Sequence, residues 1–72
     1  MAKKEIKIRD DQEYITLNVL LKIADIISTG GMAKIYLLDN VVLVNGERET
    51  RRGRKLYRND VIEVEKQTFI IK

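Results

Sequence analysis

Cysteine, histidine, proline and tryptophan are all absent from this chain of 72 residues, and glycine occurs only four times. Without cysteine there is no disulfide staple and no thiolate chemistry. Without histidine the commonest general base and the commonest metal ligand are both missing. The lack of proline and scarcity of glycine argue against a disordered linker or tail, which is typically rich in both. Long apolar runs are missing too. None exceeds the four residues of Val41 to Val44, against the roughly 20 that a spanning helix needs. The opening Met-Ala-Lys-Lys-Glu-Ile is basic with no apolar stretch behind it. It does not read as a signal peptide, so the cytoplasm is the expected compartment.

What is present is a dense mixture of apolar and charged residues, 44% and 35% of the chain. That composition suits a single small domain over residues 1–72 with one compact core, too short to hold a second. The net charge is +3, and its placement is uneven. Residues 1–40 hold six basic and six acidic groups, whereas residues 41–72 hold eight basic and five acidic. The span Arg48 to Arg58 concentrates six cations (Arg48, Arg51, Arg52, Arg54, Lys55 and Arg58) against one acid, Glu49. A focused positive field of this kind attracts a polyanion.

Periodicity divides the chain into elements. Lys4 to Arg9 alternates, with Ile6 and Ile8 on one face, and predicts a strand. After the polar break Asp10-Asp11-Gln12, Thr16 is placed as the N-cap of a helix. Leu17, Leu20, Leu21 and Ala24 recur at i, i+3, i+4, i+7, with Val19, Ile23 and Ile27 widening the apolar face. That helix is expected to end near Ala24 to Ile27. Ser28-Thr29-Gly30-Gly31 interrupts the pattern, and Ser28 or Thr29 is placed to cap a second helix over Met32 to Asp39. Ala33, Tyr36 and Leu37 share one face of it, widened by Met32 and Ile35, and Asn40 suits its end. Val41 to Val44 is a β-branched run, followed by Asn45-Gly46, the strongest short-range hairpin signal. Glu47 to Thr50 returns without an apolar residue and reads as an edge. Arg51 to Lys55 is a basic loop around Gly53. Leu56 and Tyr57 return to the core, and Arg58-Asn59-Asp60 makes a turn. Val61 to Val64, a tight turn at Lys66-Gln67, and Thr68 to Ile71 complete the chain. Helices segregated from a meander of strands predict an α+β fold.

Several patterns have chemical meanings to weigh. Gly30-Gly31 at a helix start reads on its own as a tight inter-helix turn, and Lys34 one turn later brings a phosphate seat level with that reading. No Walker loop and no dinucleotide fingerprint accompanies it. Asp10, Asp11 and Asp25 have no nucleophile or second base beside them, so they read as solvated acids and caps, and an enzyme is not expected. Tyr36 and Tyr57 read as core residues, and no exposed pair of aromatics is evident for stacking on bases. The basic run is the informative feature, because five of its six cations are arginine. The guanidinium fork suits bidentate phosphate contact.

Five blocks together carry a family resemblance: Ile15-Thr16-Leu17 with Leu20-Leu21-Lys22; Thr29-Gly30-Gly31-Met32-Ala33-Lys34; Val42-Leu43-Val44-Asn45-Gly46-Glu47; Glu49-Thr50-Arg51-Arg52-Gly53-Arg54-Lys55-Leu56; and Asn59-Asp60-Val61. In order and spacing the chain resembles the S-four RNA-binding domain, and more narrowly its short stand-alone bacterial members, the YaaA-like group, over a motif core of residues 15–64. The resemblance implies two helices packed on a small, bent antiparallel sheet, the alpha-L RNA-binding motif. It implies RNA contacts from Thr29, Gly30, Gly31 and Lys34, and from Arg48, Arg51, Arg52, Arg54 and Lys55, with Lys22 and Arg58 as weaker candidates. The expected partner is structured RNA, ribosomal by analogy, on the ribosome or its precursors, with no cofactor, metal, membrane or small-molecule substrate. The rival expectation is a protein-interaction adaptor on a ribosome or assembly factor that uses the same basic loop. Two departures from the family stand out. Ile35 and Tyr36 follow Lys34 where further basic residues are usual, and Asn59-Asp60 replaces the usual Gly-Asp.

Overall fold

The computed structural model describes residues 3–72. The strands are β1 (Lys3–Ile6), β2 (Tyr14–Thr16), β3 (Val42–Val44), β4 (Glu47–Arg48), β5 (Lys55–Tyr57), β6 (Val61–Val64) and β7 (Gln67–Ile71). Between β2 and β3 lie two helices, α1 (Leu17–Ile23) and α2 (Ala33–Asp39). Five strands form one sheet in the order β1-β7-β6-β3-β4, and β2 and β5 pair as a separate ribbon. The α+β class is as expected.

Burial follows the sequence periods. On α1, Leu17, Leu20 and Leu21 are buried, and on α2 Ala33 and Leu37. The sheet answers with Val42, Val44, Ile62, Val64, Phe69 and Ile71, spaced by two along each strand, while Glu63 points away. Each fully buried Leu, Ile, Val or Phe is worth about 1.5–3 kcal/mol. Ile6, Ile8, Ile15, Ile27 and Leu56 complete the core.

Turn chemistry holds the register. Asn45 and Gly46 adopt φ of 53° and 86°, the left-handed pair that a two-residue hairpin needs. The Asn45 side chain then joins two turns. Its Nδ2 donates to Asp60 Oδ1 at 3.1 Å, and its Oδ1 accepts from the Val61 N–H at 2.9 Å. Asn59 takes φ 78°, so the Asn-for-Gly departure is tolerated, and Asp60 Oδ2 accepts from the Tyr57 N–H at 2.8 Å. Asn40 caps α2, its Nδ2 donating to Tyr36 O at 3.1 Å.

Several expectations are corrected. The main sheet is mixed, because β1 runs parallel to β7 while its other pairs are antiparallel. Side-chain alternation fixes which face a strand buries but not the direction of its partner. A 3₁₀ turn over Gly30–Met32 precedes α2, which starts at Ala33 rather than Met32. Neither Thr16 nor Thr29 donates or accepts a side-chain capping bond. The last hairpin turns at Glu65-Lys66, with φ of 50° and 65°, and Gln67 already belongs to β7. Ile23, Met32, Ile35 and Tyr57, read as apolar-face residues, are exposed.

Candidate functional site

The chain leaves β4 and turns inward at Glu49, the one buried charged residue among those described, at 6% exposure. Its N–H keeps the sheet bond to Val42 O at 2.8 Å. Its carboxylate accepts five hydrogen bonds. Two come from the backbone N–H groups of Thr50 and Arg51, at 3.1 and 3.0 Å. Two come from the Arg51 fork, Nε at 3.0 Å and Nη2 at 3.1 Å, and one from Arg54 Nη1 at 2.8 Å. The Arg51 side-chain hydrogen bonds, joined by the Arg51 N–H and Arg54, outweigh the cost of burial and hold the carboxyl down at about 2. The same pairing raises the Arg51 guanidinium further.

The loop that Glu49 organises docks on α1. Leu17 N–H donates to Arg54 O at 2.9 Å, and Asn18 N–H donates to Arg52 O at 3.0 Å. Free N–H groups of a helix's first turn need acceptors, and here loop carbonyls supply what a Thr16 cap does not. The Thr16 hydroxyl bonds the Asn18 side-chain oxygen instead. Asn18 also faces the glycine turn: its Nδ2 lies 3.7 Å from where a β-carbon on Gly30 would stand. A single residue of α1 therefore touches both expected halves of the site, the Gly30-Gly31 turn and the Arg51–Lys55 loop. The sequence reading missed Asn18, whose only signal was a polar residue early in an apolar helix.

The candidate cations fall into distinct states. Arg48, Arg52 and Lys55 are exposed and have no carboxylate within ion-pair distance among the described residues. Arg51 is bound to Glu49 yet leaves 74% of its side chain in solvent, whereas Arg54 leaves 33%. Arg58 faces another way. Its guanidinium donates to the carbonyls of Gln12 and Arg9, both at 3.1 Å, and of Ile8 at 3.5 Å, fastening the β5–β6 turn to the segment after β1. Lys22 stands exposed on the last turn of α1, and Lys34, the sole cation of α2, on its first. Thr29 and Gly31 are exposed and Gly30 half-buried.

The β2–β5 ribbon adds a feature not foreseen. Tyr14 and Tyr57 sit directly opposite in the ladder, with ring centroids 5.8 Å apart and planes at 53°. Lys55 Nζ lies 5.0 Å from the Tyr14 centroid, within cation–π range. Once Lys55–Tyr57 is a strand with Leu56 inward, period-two alternation points Tyr57 outward.

The S4 domain family matches residues 6–72. The chain belongs to the S4 domain family. It is also 58% identical over 55 residues to "Probable ribosome maturation protein RlbA" of Bacillus subtilis (strain 168), covering 76% of this chain and 78% of that protein. The S4 fold thus presents a docked cationic loop, a glycine turn and an aromatic ribbon around one end of α1. Among the described residues no cluster of acids could hold a metal ion, and no helix is long and apolar enough to cross a membrane.

Proposed function

We propose that this S4 domain is a non-catalytic RNA-binding protein that acts in the cytoplasm, grips structured ribosomal RNA and aids ribosome assembly. The observation that carries the reading is the loop over Arg48 to Lys55, anchored by Glu49 and docked on the N-terminus of α1, with Arg48, Arg52 and Lys55 free to meet phosphates. A fixed cationic loop recognises the shape of a folded RNA through its backbone, which suits a surface not built to read base edges. Family membership and the likeness to a ribosome maturation protein support the same reading. Thr29, Gly30, Gly31 and Lys34 extend the surface on the other side of Asn18, and Lys22 lies one turn beyond.

One observation favours a second reading, an adaptor that meets a protein on a ribosome or assembly factor. Met32, Ile35 and Leu38 stand exposed around the start and outer side of α2, and apolar surface suits a protein partner better than RNA. Gel shifts with ribosomal RNA hairpins, single-stranded RNA, duplex DNA and heparin separate the two. The RNA reading expects folded ribosomal RNA to bind at least tenfold more tightly than duplex DNA at equal salt. Equal affinity for every polyanion, heparin included, would overturn it.

A further inference from the structure

We propose that Tyr57, backed by Tyr14, is a stacking seat for one unpaired nucleobase at the edge of the docked RNA. The inference rests on the RNA-binding reading above and deepens it, because it names what lies beside the phosphate-gripping loop.

Three observations converge. First, two aromatic rings are left in solvent on a chain that has only four aromatic residues, Tyr14 at 37% and Tyr57 at 46% exposure. The core does not claim them, since Ile15 and Leu56 on the same strands are the ones that point inward. Second, the rings pack against each other on a paired ribbon. They face each other across the ribbon, and β5 is continuous with the loop whose carbonyls cap α1. A rigid ring loses little conformational freedom on stacking. Third, Tyr57 lines an open groove of about 490 Å³ whose other walls are Arg51, Gly53, Arg54 and Lys55. Gly53 has nothing within 4 Å of where a side chain would begin, which leaves the groove floor clear.

The chemistry of that groove fits a nucleotide. A π-face accepts any base, with cations beside it for the phosphate. Lys55 already covers Tyr14, so Tyr57 is the ring available to a base and Tyr14 braces it. Polarity sets the direction. Asp11, Gln12 and Glu13 line the surface on the far side of Tyr14, so the sugar–phosphate chain runs along the arginine side. A base held inside a duplex has its faces already stacked, so the seat takes only an unpaired one, such as a bulge or a dangling end.

The test compares wild-type protein on three RNAs: a blunt hairpin, the same hairpin with one unpaired nucleotide beside the stem, and that RNA with the unpaired position made abasic. The unpaired base is expected to tighten binding about 5- to 150-fold, the range for one base–aromatic stack. The abasic RNA should return to the affinity of the blunt hairpin. Tyr57→Ala should erase the preference while keeping affinity for the blunt hairpin, and Tyr57→Phe should retain it. Equal binding of all three RNAs by the wild type overturns the seat and leaves the RNA-binding reading standing. Loss of affinity for blunt and unpaired RNAs alike in a Tyr57→Ala variant whose circular dichroism and thermal melt match wild type also overturns it. Failure to bind any of the three defeats both. The abasic comparison needs no variant, so it decides even if Tyr57→Ala folds poorly.

Discussion

Glu49 shows how one acid can serve a cationic surface. Five donors converge on its carboxylate, and three of them belong to the guanidinium groups of two arginines that would otherwise wander on long side chains. The pair costs the loop some positive field but fixes its shape, and Arg51 still leaves most of its side chain in solvent. The protonation state of Glu49 should therefore appear in stability. Its carboxyl is held at about 2, below the ordinary value of 4.5. A depressed carboxylate stabilises the fold fully above the ordinary value and loses that contribution as pH falls toward 2. Glu49→Gln keeps the shape and one acceptor but not the charge. We expect it to cost about 1 kcal/mol at pH 7, below the roughly 1.5–3 kcal/mol of bonds to a charged group because Arg51 is open to water. The gap between wild type and variant should close between pH 4.5 and 2. Urea melts at pH 7, 4.5, 3 and 2 check this, and a gap that stays constant across the series would show that the charge contributes nothing.

Among the elements, the legible ones have enough residues to express a period. Leu17, Leu20, Leu21 and Ala24 announced α1, the alternation of Ile62, Glu63 and Val64 announced β6, and Asn45-Gly46 announced its hairpin. The ribbon of β2 and β5 was illegible because each strand has three residues and its partner lies some forty positions away. Three residues contain one inward side chain, which leaves no period to see. The burial of Glu49 was hidden for a different reason, since an acid among arginines looks like solvated loop until its donors are placed around it. The resemblance to the S-four family singled out the loop and the glycine turn, whereas the approach of Asn18 to Gly30 follows from the packing of α1 and has no signal in the sequence. The β6–β7 hairpin departs from local preference in a testable way. Glu65 and Lys66 both occupy the left-handed region, where an L-residue pays about 1–2 kcal/mol. Glu65 is occupied by the Tyr36 hydroxyl, so Lys66 is the position to change. Lys66→Gly should stabilise the fold by about 0.5–1 kcal/mol after glycine's entropy is counted. A domain this small should then melt roughly 2–8 °C higher. A lower melting temperature would mean that the turn is held by Lys66 contacts rather than strained by its backbone.

For the molecule as a whole, the charge distribution joins fold to function. The body measures 32 × 26 × 20 Å, and the surplus of +3 comes entirely from residues 41–72. At physiological salt the screening length is about 8 Å, so only cations close to the bound phosphates count, and the candidate arginines divide accordingly. Among the described residues Arg48, Arg52 and Lys55 make no ion pair, whereas Arg58 serves three backbone carbonyls elsewhere. Each phosphate contact contributes about −0.7 to −0.9 to the log–log salt slope of binding. Replacing Arg48, Arg52 and Lys55 together by glutamine should therefore flatten the slope by roughly 2 to 3 and leave the melting temperature within a few degrees of wild type. Arg58→Gln should do the reverse: lower the melting temperature while keeping the slope, because what it loses is a strap between β5–β6 and the segment after β1. Salt titrations of RNA affinity from 50 to 200 mM, paired with thermal melts, read both quantities on the same samples. A flattened slope in Arg58→Gln with an unchanged melt would move that arginine into the RNA surface. An unchanged slope in the triple variant would remove the loop from it.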